Sequence, residues 1–446
     1  MRLRKLRQPL ERWTDPAAAF AALYSSDTDT VWLDSGRDAT DGKSFMGRAS
    51  RTVTSDTIDG SILDFLREEL AEIQLDADSD SDSFSLGWLG WLGYELRFET
   101  LDLPRTRHSR YPEAAFLYLD RVVEFDHTTG VVSLVALGTD WTGELADWRD
   151  SVTSALETAS APPRPHRFKA TGADYWRYSD DEYLRMIAAC QAAIAEGEAY
   201  QLCLTTEFRI EGTPDPFNAY LALRASSPSH HSALLRIGET ALLSASPEVF
   251  LSVTPDGLIE SRPIKGTRSR GTDVESDEAL RRELVESDKE RAENLMIVDL
   301  MRNDIARVSE IGSVEVTSLL AVESYAQVHQ LVSTVRGTLR SGLSGVDAVA
   351  ACFPAGSMTG APKRNATIIL DDLEQRPRGI YSGAFGYFGL DGRIDLAMVI
   401  RSIVMDPLGA TVGSGGGITA LSEPLEELAE VRLKAAALLA VLGADA

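Results

Sequence analysis

The stretch SRPIKGTRSR, residues 261–270, contains a single lysine that could do chemistry. Lys265 lies between a Pro-Ile pair and a Gly-Thr pair, and three arginines belong to the same stretch. A lysine amine becomes a good nucleophile only when its pKa is lowered from about 10.4 by burial or by nearby cations. Most lysines are solvated cations with no specific role, so this stretch alone leaves both interpretations open.

Two pairs of glutamates form a second group of interest. Glu290 and Glu293 are three residues apart in one predicted helix, and Glu427 and Glu430 have the same spacing in another. Residues three apart share one face of a helix. In a chain with 68 acidic residues, each pair by itself is typical of a solvated surface. Together the four carboxylates could hold one hard cation, because Mg²⁺ takes oxygen ligands and needs few direct carboxylates.

A dense glycine run, VGSGGGI at residues 412–418, comes directly before the second glutamate helix. Backbone N–H groups of such a run can point at an anion, whether a carboxylate or a phosphate. A flexible turn is the plain alternative. The stretch FPAGSMTGAPK, residues 353–363, lacks the G-x-x-x-x-G-K-[ST] spacing of a phosphate-binding loop.

Other kinds of site have little support in the sequence. The six histidines and three cysteines are scattered without metal-ligand spacing, which excludes a zinc centre. A Ser-His-Asp hydrolase is poorly supported, since no G-x-S-x-G elbow occurs. His329 could be a buried core histidine as easily as a catalytic one.

Composition limits the class of protein. The chain has 446 residues and a net charge of −24, which argues against binding nucleic acid or an anionic membrane. No apolar run approaches the roughly 20 residues that span a bilayer. The basic N-terminus lacks the apolar segment of a signal peptide, and Cys190, Cys203 and Cys352 give no disulfide framework. We therefore expect a cytoplasmic location and a reducing compartment.

Short β-like runs alternate with amphipathic helices along the whole chain. We expect an N-terminal domain over residues 1–157, a linker rich in proline and charge over 158–177, and a second domain over 178–440. The second domain holds all the polar groups described above. An acidic run at residues 76–83 predicts a mobile loop.

A series of stretches, taken in order, resembles the chorismate-utilising enzymes, the family of the anthranilate, aminodeoxychorismate, isochorismate and salicylate synthases. The stretches are GEAYQLCLT, SASPEVFL, RPIKGTRSRG, DKERAENLMIVDLMRNDIARV, VHQLVSTVRG, FPAGSMTGAPK, YSGAFGYF, MVIRSI and GSGGGI. In the N-terminal segment SFMGRAS and GWLGWLGYEL resemble the family more weakly. The resemblance implies an α+β fold like that of anthranilate synthase component I, with two large antiparallel β-sheets flanked by helices and an active site in a cleft.

The same resemblance implies roles for the charged residues. It assigns the glutamates to Mg²⁺, with Glu293 and Glu430 as direct ligands and Glu290 and Glu427 acting through water. Glu248, in SASPEVFL, matches the family's acid/base carboxylate.

Substrate binding is implied for a further set of positions. They are Arg401, Lys434, Gly415, Gly416, Gly417, His329, Thr359 and Tyr387. The two cations and the glycine N–H groups are expected to hold the enolpyruvyl carboxylate of chorismate. Mg²⁺ and Arg262 are expected to help burial lower the pKa of Lys265.

Two positions separate the chemistries within this family. Water-adding members carry a lysine where this chain has Gln201, and a glutamine cannot act as a general base. Members that form anthranilate have PIAGT, whereas members that form 4-amino-4-deoxychorismate have PIKGT, as here. The resemblance therefore implies an ammonia user with Lys265 as nucleophile, on the way to p-aminobenzoate and folate.

Nothing in the chain resembles a Cys-centred amidotransferase, so we expect ammonia to come from a separate glutamine amidotransferase subunit. Two alternatives stay open. Anthranilate synthase component I is one, although Lys265 speaks against it. A non-catalytic chorismate-binding relative is the other, and the intact Glu248, Lys265 and four glutamates argue against that.

Overall fold

The structure is a computed structural model. It describes residues 2–75, 84–162, 164–165, 168, 174–212, 214–325 and 328–444. The predicted acidic loop at 76–83 and much of the predicted linker lie outside the described residues.

The described residues form eleven α-helices and two short 3-10 helices. The α-helices are α1 (Pro16–Leu23), α2 (Ile62–Glu72), α3 (Arg97–Thr100), α4 (Glu144–Thr158), α5 (Asp180–Ala195), α6 (Pro216–Ser226), α7 (Val274–Glu286), α8 (Asp288–Ala306), α9 (Gly345–Cys352), α10 (Lys363–Glu374) and α11 (Pro424–Val441). The 3-10 helices are Tyr94–Leu96 and Gly356–Met358.

Twenty-three strands complete the described elements. They are β1 (Arg2–Pro9), β2 (Thr30–Asp34), β3 (Lys43–Arg48), β4 (Arg51–Thr54), β5 (Gln74–Leu75), β6 (Gly87–Leu92), β7 (Ala114–Leu119), β8 (Arg121–Asp126), β9 (Val131–Gly138), β10 (Asp174–Trp176), β11 (Gln201–Ile210), β12 (His231–Ile237), β13 (Thr240–Ser246), β14 (Val249–Val253), β15 (Leu258–Ser261), β16 (Ile264–Ser269), β17 (Glu315–Ser324), β18 (Val328–Thr338), β19 (Gly360–Ala361), β20 (Ala384–Gly389), β21 (Ile394–Met398), β22 (Ser402–Asp406) and β23 (Gly409–Ile418).

The strands form two large sheets, as the resemblance implied. The thirteen-stranded sheet runs β10-β11-β23-β22-β13-β12-β2-β3-β8-β9-β1-β5, with β19 paired to β11. The ten-stranded sheet runs β16-β18-β15-β14-β21-β20-β6-β7-β4, with β17 paired to β18. Among the described strands only the short β1–β5 pair is parallel, so the α+β class with antiparallel sheets is confirmed.

The sheets lie face to face with helices on their outer faces. One buried cluster joins both sheets and includes Leu235 of β12 and Trp91 of β6. The outer face of the thirteen-stranded sheet packs on α1, α4, α6 and α11, and that of the ten-stranded sheet packs on α2, α8 and α9. Side chains that alternate along a strand therefore pack on one face into the core between the sheets and on the other face against the outer helices.

The two predicted domains share both sheets. Val31 of β2 pairs with Leu235 of β12 in one sheet, and Trp91 of β6 pairs with Phe385 of β20 in the other. The boundary at residues 158–177 stays a prediction from the sequence. Across it the strands of the two segments form continuous hydrogen-bonded ladders.

Several local predictions are confirmed. Ser179 and Glu182 form the reciprocal capping box that starts α5. The predicted helix over 286–308 is α8, and its apolar stripe was predicted from a three-to-four spacing at Leu295, Val298, Met301, Ile305 and Val308. All of these residues are buried except Leu295, which is 43% exposed because it lies off the face that meets the sheet.

Within the described residues, no helix has the length and apolar character that crossing a membrane requires.

Candidate active site

Lys265 projects from an irregular strand. The pairing of β16 with β18 shifts register around Lys265 and Gly266, and Gly266 has a φ of +85°. A Cβ on Gly266 would come within 2.7 Å of Leu284 and 3.0 Å of Glu290, so only glycine fits. Such bulges redirect neighbouring side chains. Here the Lys265 Nζ lies 3.9 Å from Glu293 Oε2.

The charge around Lys265 differs from the expectation. Burial by itself would lower the pKa of Lys265, but Glu293 and other acidic groups outweigh burial and raise it. The other groups are Cys203, Glu248 and Glu290. Arg262 forms an ion pair with Glu323 and does not supply the expected cation. The predicted lowering of the Lys265 pKa is therefore wrong for this state, and a neutral amine requires that the nearby carboxylates be neutralised.

Glu248 has the properties of a general acid. It lies between β13 and β14, and burial raises the pKa of its carboxyl from 4.5 to about 7, against the opposing effects of Lys265 and a hydrogen bond to Ser357. A carboxyl with this pKa is partly protonated at neutral pH and can deliver a proton to a leaving hydroxyl.

The four predicted metal ligands face one another from α8 and α11. Each forms an ion pair with a cation. The pairs are Glu293 with Lys265 at 3.9 Å, Glu290 with Arg268 at 3.5 Å, Glu427 with Lys289 at 3.1 Å, and Glu430 with Lys434 at 2.7 Å. Burial raises the pKa of Glu293, Lys265 opposes this, and Glu290 and Glu427 raise it further. Because a carboxylate of α11 changes the pKa of a carboxyl on α8, the two helices bring their acidic groups close to each other.

The donor set has the chemistry of a magnesium site, since α8 and α11 both present hard carboxylate oxygens. In the part of the chain that the structure describes, no three acidic or imidazole groups converge closely enough to enclose a metal ion. Each carboxylate forms an ion pair with a lysine or an arginine instead. The residues fit Mg²⁺ by type, and binding requires that Lys289 and Lys434 release Glu427 and Glu430.

The glycine run forms neither a turn nor a loop. It belongs to β23, which pairs with β11 from Ala410 to Ile418 and with β22 only as far as Val412. In the described structure, the β22 edge of β23 is thus unpaired beyond Val412. We refer to this free edge of β23, together with the carboxylates of α8 and α11, as the candidate cleft.

The register decides which glycine N–H groups can reach a ligand. The amides of Cys203 and Thr205 point away from β23, since they bond to Thr359 O at 2.8 Å and to Glu374 Oε1 at 2.9 Å. In an antiparallel ladder the residues opposite them also point away. The N–H groups of their partners Gly417 and Gly415 therefore face the free edge, whereas the Gly416 N–H is used in the ladder.

Two predicted carboxylate-binding cations lie beside this edge. Lys434 Nζ donates to Gly415 O at 3.0 Å, and Arg401 donates to Lys434 O at 3.1 Å. Arg401 reaches solvent, yet the protein atoms around it lower the pKa of its guanidinium. Arg401 also has a φ of +50°, which is uncommon for a non-glycine residue and is typical of functional sites.

Two side chains cover the glycines of β23 on the face away from α11. The ring of Tyr381 lies over Gly413, where a Cβ would come within 2.1 Å of it. The amide of Gln201 lies over Gly417, where a Cβ would come within 2.1 Å of Gln201 Nε2, so the present position of each side chain depends on the glycine beneath it. Gln201 is 1% exposed, and its Oε1 has no hydrogen-bond partner among the described residues.

Three predicted substrate-binding residues do not present free polar groups at this edge. For His329 and Thr359 the polar groups are already hydrogen-bonded within the protein. The His329 ring is buried, with Nδ1 2.8 Å from Ser324 Oγ and Nε2 3.0 Å from Asp277 Oδ1. Thr359 is fully buried and its hydroxyl donates to Ala355 O at 3.2 Å. These bonds occupy both ring nitrogens of His329 and the hydroxyl hydrogen of Thr359.

Tyr387 lies elsewhere. It lines a separate cavity of about 330 Å³ together with Phe84, Asp395 and His231. Tyr381, in the same stretch YSGAFGYF, is the tyrosine whose ring lies over Gly413.

Comparison with known proteins identifies the class. Residues 24–440 match the model of the chorismate binding enzyme family. The chain is 41% identical to an aminodeoxychorismate synthase of Streptomyces griseus over 99% of this chain and 64% of that protein. It is 36% identical to anthranilate synthase component 1 of Haloferax volcanii, with 90% and 78% covered. Anthranilate synthase component I of Streptococcus pneumoniae has a similar structure, with a TM-score of 0.78, 27% identity, and 97% and 100% covered.

The chain therefore belongs to the chorismate binding enzyme family. It spans less than two thirds of the length of the Streptomyces griseus relative.

Proposed function

We propose that this protein aminates chorismate at C4 to give 4-amino-4-deoxychorismate, with ammonia as the nitrogen source. One observation carries the proposal: the Lys265 amine lies among carboxylates, 3.9 Å from Glu293 Oε2. The position of Gln201 beside Gly417 of β23 agrees with it. The 41% identity to an aminodeoxychorismate synthase supports it.

The proposed reaction has two displacements. The Lys265 amine attacks C2 of chorismate while the 4-hydroxyl takes the proton of Glu248 and leaves as water, and the proton that the lysine nitrogen loses returns to Glu248. Ammonia then bonds to C4, and the proton that it loses passes to the lysine nitrogen, which leaves C2 as a neutral amine. The sum is chorismate plus ammonia giving 4-amino-4-deoxychorismate plus water, and covalent catalysis divides one difficult displacement into two.

Gln201 explains the choice of nucleophile in this proposal. Its buried Oε1 can accept a hydrogen bond from ammonia but cannot deprotonate water. Arg401, Lys434 and the free N–H groups of Gly415 and Gly417 would hold the enolpyruvyl carboxylate by charge and hydrogen bonds.

Mg²⁺ is proposed as the cofactor, with Glu293 and Glu430 as direct ligands and Glu290 and Glu427 bound through water. When bound it neutralises carboxylate charge and polarises the substrate. This would also remove the effect that raises the Lys265 pKa. We expect EDTA to abolish turnover and excess Mg²⁺ to restore it, as measured by chorismate consumption. Full turnover in EDTA would contradict the metal assignment.

The remaining parts of the proposal concern context. Ammonia would come from a glutamine amidotransferase partner, and the product would lead to p-aminobenzoate and folate in the cytoplasm. Anthranilate synthase component I is the second candidate, because the Haloferax volcanii relative of that name is 36% identical. Chromatography of the products from chorismate, Mg²⁺ and ammonium distinguishes the two. Anthranilate as the main product would overturn the proposal.

A further inference from the structure

Arg378 is a fully buried cation whose side chain makes contacts in several directions. Its Nε and Nη2 bind the two oxygens of Glu374 at 2.8 and 2.7 Å. Its Nη1 donates to Met358 O at 2.7 Å and to Ser382 Oγ at 3.5 Å, and its Nη2 also donates to Cys203 O at 2.9 Å. The guanidinium stacks on the ring of Tyr94, 4.2 Å from its centroid. All of its donor nitrogens are therefore used.

These contacts connect three chain segments that reach the cleft. Cys203 is two residues from Gln201 on the same face of β11. Met358 precedes Thr359, whose carbonyl accepts the Cys203 amide. Ser382 follows Tyr381, the ring that covers Gly413. The guanidinium of Arg378 is thus bonded both to the strand that contains Gln201 and to the residue that follows Tyr381.

Two carboxylates complete the arrangement. Glu374 Oε1 also accepts from the Thr205 amide and hydroxyl, each at 2.9 Å, which fixes β11 a second time. Glu95 accepts from the backbone N–H groups of Arg378 and Gly379 at 3.0 and 2.8 Å. A buried charge with every donor in use is costly to build, and it allows little movement of the segments that it joins.

We infer that Arg378 is a positioning residue that sets the distance between the nitrogen side of the cleft, at Gln201, and the ring side, at Tyr381. The inference rests on the proposed function for its kinetic consequence only. The groups proposed to hold the substrate carboxylate and metal lie on β23, α8, α11 and at Arg401. Loss of Arg378 should therefore leave chorismate binding nearly intact and slow the attack of ammonia.

Arg378→Lys tests this, with Arg97→Lys as the matched control. Arg97 is equally buried and belongs to the same ion network through Glu95 and Asp371. None of its described bonds reaches β11, Met358 or Ser382. In Arg378→Lys we expect kcat with ammonium to fall at least tenfold while the KM for chorismate changes less than threefold. In Arg97→Lys both should change less than threefold.

A second measurement does not depend on turnover. Hydrogen exchange of the peptide covering residues 201–206 should become at least tenfold faster in Arg378→Lys and less than twofold faster in Arg97→Lys. Equal kcat and equal exchange in the two variants would overturn the inference. If wild type does not aminate chorismate, the proposed function fails, and the exchange comparison alone decides the positioning role.

Arg378→Lys could fail to fold, so Glu374→Gln provides an independent test. The amide keeps the shape of Glu374 and an acceptor for Thr205, but it loses the charge that holds the guanidinium. We expect the same slower kcat and faster exchange at residues 201–206. Wild-type values of both in Glu374→Gln would also overturn the inference.

Discussion

At the scale of single residues, the neighbours of a group determine its chemistry. Lys265 is half-buried and Glu248 is buried, and their pKa values are raised for different reasons. Desolvation dominates for Glu248, whereas surrounding acids outweigh desolvation for Lys265. The same cleft therefore stabilises a protonated acid and a charged amine until carboxylate charge is neutralised.

Substitution of Lys265 separates a nucleophile from a cation. Lys265→Ala should lower C4 amination on the order of a hundredfold or more, and some anthranilate-type product is expected because the stretch then reads PIAGT. Lys265→Arg keeps the charge but offers no neutral amine, so it should be equally slow. Mass spectrometry of trapped wild type should find an adduct on PIKGT. Wild-type amination by Lys265→Arg would mean that lysine serves only as a cation.

Glu248 predicts a dependence of stability on pH. Its pKa is raised from 4.5 to about 7, so the folded protein keeps a proton that the unfolded chain loses between these values. Wild type therefore loses stability as pH rises from about 4.5 to about 7, by about 3 kcal/mol in all, and Glu248→Gln does not. Urea unfolding at pH 5 and pH 8 should give the variant a relative gain that is several-fold larger at pH 8, because only a small part of the loss has occurred at pH 5. An equal difference at both pH values would contradict this explanation.

At the scale of elements, strand irregularity and strand edges make the cleft. The bulge of β16 directs Lys265, and the early end of the β22–β23 pairing frees the N–H groups of Gly415 and Gly417. Helices α8 and α11 then supply facing carboxylates. Each element contributes one wall, and none of them contains the site by itself.

Gly266→Ala tests the bulge, with Gly238→Ala as its control. Both glycines have positive φ, so each alanine should cost about 1–2 kcal/mol of backbone strain. Only at Gly266 would the new Cβ also meet Leu284 and Glu290, whereas Gly238 has open space around it. We expect a larger loss of unfolding free energy and at least a tenfold lower kcat for Gly266→Ala alone. Identical effects of the two substitutions would show that the bulge does not direct Lys265.

At the scale of the whole molecule, the two segments share both sheets and one buried cluster. Separating them would expose the ladder edges of β2 and β12, and of β6 and β20. Unpaired edges and apolar faces of this size promote aggregation.

Fragments test this architecture. We expect residues 1–157 and 178–440, expressed separately, to be insoluble or to lack cooperative thermal unfolding. Co-expression should recover folded material, because the missing ladders can then form. Calorimetry of the intact chain is the control and should show one main transition. A soluble 178–440 fragment with its own sharp transition would mean that the segments fold independently.

The sequence by itself determined the family and the class of fold, and it predicted the charged residues of the candidate site. Ordered stretches such as PIKGT and the i, i+3 glutamate pairs are local patterns, and so are the capping box of Ser179 and the stripe of α8. Local patterns can be read because helix period and turn chemistry depend on neighbouring residues only. The exposed Leu295 marks the limit, since burial depends on what packs against a helix.

Only the tertiary structure decided how these residues act together. The position of the Tyr381 ring over Gly413, the internal bonds of His329 and the raised pKa of Lys265 all depend on groups distant in sequence. The same holds for Arg378, whose partners lie from position 94 to position 382. Long-range electrostatics and strand register arise from folding of the whole chain, so no local pattern could have predicted them.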